Sequence, residues 1–362
     1  MSVLAVILLL AVLIFVHELG HFLAARLQGI YANRFSIGFG PILWKYQGEQ
    51  TEYALRALPL GGFVGFPDDD PESTIPPNDP NLLKNRPVLD RAIVISAGVI
   101  ANLIFAYFIL VGQMAFVGLP TIDYNPGVIV PEAIEQDIAA QAGIQNGDVI
   151  VAINGKPLDA SEAAMNNLRQ TIETSPGIPL KLSIERKGQP VTVNVTPKDD
   201  NGKGKIGVKL QPHFKVQPNG KIVYYKHPSN PIGVFTMAAN EFQRIVVLTV
   251  QGFGQLISNF GNTANQVAGP VAIVATGAKI AQNDFASLFN FTALISINLA
   301  VINILPLPAL DGGQLAFLLV EGIRGKPVPS GIQDGVMQTG LMLLLGLGVF
   351  LIIRDTVNLI PQ

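Results

Sequence analysis

The sequence contains no cysteine, which excludes a disulfide framework and any metal site built on thiolates. A metal ion would have to be held by histidine, aspartate or glutamate side chains. Charged residues are scarce, at 14% of 362 residues, and a formal net charge of -2 provides no basic surface for nucleic acid. With 49% hydrophobic residues, the composition is typical of a membrane protein that has one water-exposed part.

Four apolar segments have the length needed to cross a bilayer, which is roughly 20 residues. They comprise residues 3–25, 92–119, 286–304 and 336–353. A cleaved signal peptide is the alternative for the first segment, but no basic residues precede its apolar run. We therefore expect a polytopic α-helical membrane protein with about four transmembrane helices.

Basic residues concentrate in the loops that follow the first and the third segment. They are Arg26, Arg34, Lys84, Arg86 and Arg91 in the first loop, and Arg324 and Lys326 in the other. The positive-inside rule places both loops in the cytoplasm. Both termini and the long region between the second and third segments then lie on the opposite side, with Arg354 as a minor exception to the charge bias.

The first apolar segment contains the motif H-E-x-x-H, formed by His17, Glu18 and His21. On a helix, residues four apart project from the same face, so both imidazoles can bind one Zn²⁺ while Glu18 acts as the general acid and base of a metalloprotease. Ionisable groups in a membrane segment cost about 2.5 to 3.5 kcal/mol each and persist mainly for function. The motif therefore predicts a zinc site rather than a solvated helix face.

Two histidines do not complete a catalytic zinc site, which normally has three protein ligands and one open position. The best candidate for the third ligand is Asp311, in the stretch "NILPLPALDGG" at the end of the third segment. Prolines and glycines interrupt that segment, and unwound backbone at membrane depth is tolerated where it lines a cavity. Both halves of this site would face the cytoplasm. We expect His213 and His227 to be ordinary surface histidines, since no ligand spacing surrounds them.

The long region between the second and third segments contains the pattern of a small α+β domain. Its stretch "AGIQNGDVIVAINGKPL" resembles a PDZ domain, with a core of about residues 125–210. The resemblance implies peptide binding by strand addition between "GVIV" and a helix at 161–174, for which we predict Ser161 as N-cap. A folded spacer without a ligand is the alternative. Residues 231–260 predict an amphipathic helix that is interfacial or docked on the membrane segments.

The paired motifs H-E-x-x-H and N-x-x-P-x-P-x-L-D-G-G resemble the site-2 protease family of intramembrane zinc metalloproteases. The single PDZ-like insertion is similar to the bacterial and plastid type related to the regulator of sigma-E protease. The resemblance implies that His17, His21 and Asp311 bind Zn²⁺ and that Asn303 contacts the substrate or orients the site. An amide that packs between helices is the alternative role of Asn303. Residues 34–66 resemble the membrane-associated β-hairpin region of these proteases.

The expected organisation has four parts. Residues 1–120 hold the first two transmembrane helices and the β region, 121–212 the PDZ-like domain, 213–285 a linker with the amphipathic helix, and 286–362 the last two transmembrane helices. The expected location is a bacterial inner or plasma membrane, or a plastid-type membrane, with the active site toward the cytoplasm and the PDZ-like domain on the other side.

The expected activity is cleavage of transmembrane segments in single-pass proteins, during regulated intramembrane proteolysis. The resemblance implies anti-sigma factors or signal-peptide remnants as substrates. An alternative is a catalytically silent membrane adaptor that binds extracytoplasmic peptides. A divalent-metal transporter is disfavoured, because four segments without internal repeats do not suit that class.

Overall fold

A computed structural model of the protein describes residues 2–70, 73–134, 137–218, 220, 222–263 and 267–359. The chain forms two compact units. The first combines Met1–Gly118 with His227–Gln362, and the second is Leu119–Lys226.

The described part of the chain contains both long apolar helices and short strands. The helices are α1 (Ser2–Leu27), α2 (Val88–Phe116), α3 (Ile138–Gln141), α4 (Ala163–Glu173), α5 (Pro231–Ser258), α6 (Phe260–Thr263), α7 (Pro270–Asn283), α8 (Leu288–Ile304), α9 (Asp311–Arg324) and α10 (Ser330–Leu359). The strands are β1 (Arg34–Gln47), β2 (Glu52–Gly65), β3 (Leu119–Ile122), β4 (Tyr124–Ala133), β5 (Val149–Ile153), β6 (Lys156–Pro157), β7 (Leu180–Arg186), β8 (Gln189–Val195), β9 (Lys198–Asp200), β10 (Lys203–Lys205), β11 (Val208–Phe214) and β12 (Val223–Lys226).

Within the described residues, four helices are long and apolar enough to cross a membrane, which confirms the four predicted segments. They are Ser2–Leu27, Val88–Phe116, Phe285–Ile304 and Ser330–Asn358. The last one extends well beyond the predicted residues 336–353. Its polar ends continue the helix because intrahelical hydrogen bonds, and not apolarity, determine where a helix stops.

Helix α2 is the centre of the first unit, with α1, α5, α8 and α9 packed around it. Small residues permit the closest approach, since a Cβ atom on Gly20 of α1 would lie 2.4 Å from the Ala97 carbonyl oxygen of α2. Close backbone contact of this kind is typical of helix packing in membranes. The helix α5 packs on α2 through the rings of Phe242 and Tyr107, whose centroids are 6.1 Å apart.

The predicted β-hairpin of residues 34–66 is more elaborate than a simple hairpin, because both strands bend. Residues 34–37 of β1 lie between two parts of β2, pairing parallel with residues 52–55 and antiparallel with residues 62–65. Residues 42–47 of β1 pair antiparallel with residues 52–56. The bends coincide with Gly38, Gly40 and Gly61, whose φ angles are positive. Residues 62–65 form one outer edge of this sheet.

The second unit contains a sheet in the order β11, β4, β5, β7, β8, with β6 beside β5. Its core is made of apolar side chains from these strands and from α4, including Val128, Ile150, Leu168 and Leu182. The turns at Asn154–Gly155 and Lys187–Gly188 have positive φ at both residues, as two-residue hairpin turns require.

Three details of the second unit differ from the sequence predictions. The strand "GVIV" belongs to β4, which pairs with β11 on one side and β5 on the other, so no peptide can add to it. Helix α4 begins at Ala163 with Glu162 at the cap position. The Ser161 hydroxyl oxygen is buried without a hydrogen-bond partner among the described residues, so Ser161 does not cap the helix. The unit also ends later than residue 212, since β12 returns to pair with β3.

The region predicted as a linker with one amphipathic helix, residues 213–285, contains more structure than expected. Helix α5 covers Pro231–Ser258, and α7 adds a second helix over Pro270–Asn283. The N-terminus of α7 is held by Asp355 of α10, whose carboxylate accepts a hydrogen bond of 3.0 Å from the Ala272 N–H. This long-range cap stabilises α7 and could not be recognised from local sequence.

Candidate metal centre

The helix α1 brings His17 and His21 together on one face, one turn apart. Their Nε2 atoms are 3.3 Å from each other, and both side chains are only 12% exposed. The two rings meet edge to face, with centroids 4.8 Å apart. The spacing of four residues thus places both imidazoles on one face of the helix, as the sequence predicted.

Asp311 is the first residue of α9 and lies against both histidines. Its Oδ2 atom is 3.3 Å from Nε2 of His17 and 3.4 Å from Nε2 of His21. The preceding loop folds tightly over the start of α9, since a Cβ on Gly312 would lie 2.1 Å from the Leu305 carbonyl oxygen. A residue with a side chain at position 312 would push this turn away, and Asp311 with it.

The three atoms form a nearly equilateral triangle, which can be compared with the requirements of zinc. Ligand atoms at about 2.0 to 2.2 Å from a tetrahedral Zn²⁺ lie about 3.3 to 3.5 Å from one another. The observed separations of 3.3, 3.3 and 3.4 Å match one face of such a tetrahedron. The Oδ2 atom of Asp311 is also buried, and no hydrogen-bond donor in the described part of the chain is aligned with it. The two imidazole nitrogens and the carboxylate oxygen therefore fit a tetrahedral zinc ion whose fourth coordination position is open.

Within the described ranges, His17, His21 and Asp311 are the one group of three such side chains whose ligand atoms are close enough for a metal ion. His213 is in the second unit, where its Nδ1 bonds to the Pro126 carbonyl oxygen at 2.9 Å. His227 has no metal-ligating cluster around it in the described ranges either.

The helix α2 surrounds both histidines through Val94, Gly98 and Asn102. The sequence analysis did not identify these three residues. A Cβ on Gly98 would lie 2.3 Å from Nε2 of His21 and 2.8 Å from Cε1 of His17, so only glycine leaves room for the rings. His21 Nδ1 bonds to the Val94 carbonyl oxygen at 2.9 Å, and His17 Nδ1 is 3.3 Å from the Asn102 amide. An amide within an apolar span was the available signal for Asn102.

Glu18 is half-buried on the same helix and lies beside β2. A Cβ on Gly62 would lie 2.9 Å from Cγ of Glu18, and the Val64 backbone is within hydrogen-bonding reach of its carboxylate. The outer edge of the small sheet, residues 62–65, therefore lies next to the carboxylate that the motif predicts as a proton carrier.

Asn303 lies in the last turn of α8, half-buried, and is not part of the triangle of ligand atoms. Among the described residues, no hydrogen bond joins its amide to a partner.

Comparison with known proteins extends this picture over nearly the whole chain. Residues 5–347 match Peptidase family M50. A Nostoc sp. protein that carries the name of a zinc metalloprotease is 60% identical, covering 100% of this chain and 98% of its own length. The chloroplastic membrane metalloprotease ARASP of Arabidopsis thaliana is 48% identical, covering 99% of this chain and 79% of its own length.

Among solved structures, the PDZ domain of an SdrC-like protein from Listeria monocytogenes is 22% identical with a TM-score of 0.20, and it covers 23% of this chain and 86% of that domain. The agreement in sequence with the curated relatives covers both motifs and the region between them. The chain belongs to peptidase family M50, which confirms the metalloendopeptidase predicted from the paired motifs.

Proposed function

We propose that this protein is a zinc-dependent intramembrane endopeptidase that cleaves within or beside the transmembrane segment of single-pass proteins. The observation that carries the proposal is the triangle of His17 Nε2, His21 Nε2 and Asp311 Oδ2. Two of these ligands are on a helix that is apolar and long enough to cross a membrane. The names of the curated relatives support zinc as the metal.

The roles of the residues follow from their chemistry. His17, His21 and Asp311 would hold the metal, and Zn²⁺ would act as a Lewis acid that polarises the peptide carbonyl and makes a water molecule acidic. Glu18 would accept a proton from that water and pass it to the leaving amine. Its half-buried position beside β2 keeps the carboxylate close to the site while limiting its exposure to bulk water.

The small sheet next to Glu18 supports binding of an extended substrate. Residues 62–65 pair with residues 34–37 on one side, and the Val64 backbone on this segment reaches Glu18. A substrate strand added to this edge would bring its peptide bonds close to the proton carrier. Asn303, in the last turn before the loop to Asp311, would bind the backbone of the same substrate.

The sheet also carries an apolar surface suited to the membrane boundary. Leu43, Trp44 and Tyr46 of β1 are 67%, 58% and 58% exposed. Aromatic rings of this kind are enriched at membrane–water interfaces. Together with the basic loops, this favours an active site that opens toward the cytoplasm, in a bacterial inner membrane or a plastid membrane.

For the second unit we propose peptide binding in the manner of a PDZ domain, on the strand β11 and not on β4. Strand β11 is at the end of the sheet order, and the described strands pair with it only through β4. Strand β11 contacts helix α4, so a peptide added to the outer edge of β11 would lie beside this helix. This unit would bind extracytoplasmic parts of substrates such as trimmed anti-sigma factors.

The test uses the purified full chain in detergent with a single-pass model substrate. We expect Glu18→Gln to retain zinc and to lose cleavage by about 10²- to 10⁴-fold, the range for general acid–base groups. We expect Asp311→Asn to lose both zinc and cleavage. Cleavage that survives Glu18→Gln and zinc removal would overturn the peptidase assignment.

The same experiment separates the alternative of a silent adaptor. An adaptor would bind extracytoplasmic peptides through β11 but would cleave nothing in the wild type, even when loaded with zinc. Substitution of β11 residues would then abolish its only function, whereas in a peptidase such a change alters substrate choice and leaves zinc binding intact.

A further inference from the structure

The two histidines of the metal centre use their second ring nitrogens differently. His21 Nδ1 lies 2.9 Å from the Val94 carbonyl oxygen. His17 Nδ1 lies 3.3 Å from the side-chain amide of Asn102, also on α2. A carbonyl oxygen can only accept a hydrogen bond, whereas an amide side chain can either donate or accept one.

This difference determines which tautomer each ring can adopt. A neutral histidine that binds metal through Nε2 must carry its proton on Nδ1 and donate it to an acceptor. The Val94 carbonyl satisfies this condition for His21 at all times. For His17 the condition is met only when the Asn102 amide turns its oxygen toward Nδ1, which requires a rotation of 180° about the Cβ–Cγ bond.

The surroundings of Asn102 limit what else this amide can do. The residue is fully buried, with 0% exposure, and its Oδ1 has no hydrogen-bond partner within the described part of the chain. Its backbone carbonyl accepts a hydrogen bond of 2.8 Å from Ser296 Oγ, on α8. One residue therefore contacts His17 on α1 and is anchored by the helix that leads into the Asp311 loop.

We propose that Asn102 is a positioning residue that sets the metal-binding tautomer of His17. When His17 Nε2 binds the metal, the Asn102 oxygen accepts a hydrogen bond from the Nδ1–H group and fixes the ring orientation. When the metal leaves, the amide nitrogen can donate to the unprotonated Nδ1. This inference rests on the proposed zinc centre, and it assigns a role in metal affinity to a residue outside the ligand set.

The test measures the zinc affinity of the full chain in detergent by competition with a chelator at fixed pH. We expect Asn102→Leu, which is similar in size and has no acceptor, to weaken zinc binding about 10- to 100-fold. We expect Asn102→Asp to restore the affinity to within about threefold of the wild type or better, since carboxylates are common acceptors for ligating histidines.

Gln113→Leu is the matched control, because Gln113 is also fully buried on α2 and its amide oxygen has no hydrogen-bond partner among the described residues. It should destabilise the helix packing to a similar degree and leave zinc affinity within about twofold. With only four histidines in the chain, ¹⁵N spectra of histidine-labelled protein provide a second measurement. In the zinc-loaded wild type, His17 should be protonated at Nδ1.

The possible results are distinguishable. Wild-type zinc affinity in Asn102→Leu, a loss no greater than in Gln113→Leu, or an Asn102→Asp variant as weak as Asn102→Leu would each overturn the role of Asn102. Failure of the wild type itself to bind zinc would instead overturn the proposed metal centre.

Discussion

Gly98 faces His21 so closely that a Cβ atom at position 98 would lie 2.3 Å from the ring Nε2. No real Cβ contact is that short, so either the ring or the helix α2 would have to move. The position of the histidine ligands on α1 therefore requires a glycine at position 98 of α2.

We expect Gly98→Ala to lose zinc and to reduce cleavage by at least about 100-fold, because the added methyl group occupies the space of both imidazoles. The control is Gly112→Ala on the same helix, where the nearest atom, in Phe289, is 4.0 Å away. That variant should keep zinc and gain up to about 1 kcal/mol in stability from helix propensity. Metal analysis and thermal unfolding of both proteins check the pair. Equal zinc content in the two variants would contradict the prediction.

We expect Gly62→Ala to reduce kcat about 10- to 100-fold while zinc content stays at the wild-type level. The new Cβ would lie 2.9 Å from Cγ of Glu18 and 2.9 Å from the Ser36 carbonyl oxygen, so the proton carrier is displaced and the ligands are not. Cleavage kinetics and metal analysis of one preparation measure both quantities. Loss of zinc in this variant would show that β2 supports the metal site directly.

A half-buried ion pair connects α2 to the helix that begins with Asp311. Arg91 donates to Glu321, and the two side chains are 15% and 14% exposed. We expect Glu321→Ala to lower stability by about 3 kcal/mol, because it leaves the arginine desolvated and unpaired. Replacing both with apolar residues, as in Arg91→Met with Glu321→Leu, should recover most of the loss. The exposed Arg324→Ala is the control, with an expected effect within about 0.5 kcal/mol.

The stability of the second unit should depend on acid pH through Asp148, whose side chain is 1% exposed. Burial by itself raises the pKa of Asp148, but two hydrogen bonds of 2.8 Å from Arg186 and one from the Gln145 N–H outweigh it. The pKa in the folded state therefore lies below its usual value of 3.8. A depressed pKa contributes stability above the unfolded-state pKa and loses it as the pH falls through the folded-state pKa.

We therefore expect the urea midpoint of β5 and β7, followed by pulsed hydrogen exchange and mass spectrometry, to be level at neutral pH and to fall below about pH 4. The variant Asp148→Asn should start from a lower midpoint and show a weaker fall. If the urea midpoints of wild type and variant fall equally with pH, carboxylates other than Asp148 determine the acid sensitivity of the second unit.

The sequence was sufficient for the parts of the site that depend on local periodicity. The spacing of His17 and His21 determines their common helix face, and the prolines and glycines around Asp311 indicate the broken helix that carries it. The contribution of α2 could not be predicted, because Gly98, Val94 and Asn102 act through packing between helices. Residue type alone does not reveal which glycine in an apolar helix faces another side chain.

In the second unit, too, local features could be predicted from the sequence and long-range contacts could not. The turns at Asn154–Gly155 and Lys187–Gly188 were identifiable from their sequence, because few residues adopt positive φ. The neighbours of β4 were not, since β11 joins it from about 80 residues further along the chain, and such long-range pairing leaves no local pattern. That pairing is what moved the proposed peptide site from β4 to β11.

The pairing of β3 with β12 also has a consequence for how the chain can be altered. Leu119 and Lys226 are opposite each other in this antiparallel pair, so the chain enters and leaves the second unit at adjacent points. Neighbouring antiparallel residues have Cα atoms about 4.5 to 5.5 Å apart, a gap that one or two linker residues can close. The second unit can therefore be deleted, or replaced by another domain, by joining the chain at positions 119 and 226. No membrane helix is interrupted by such a change.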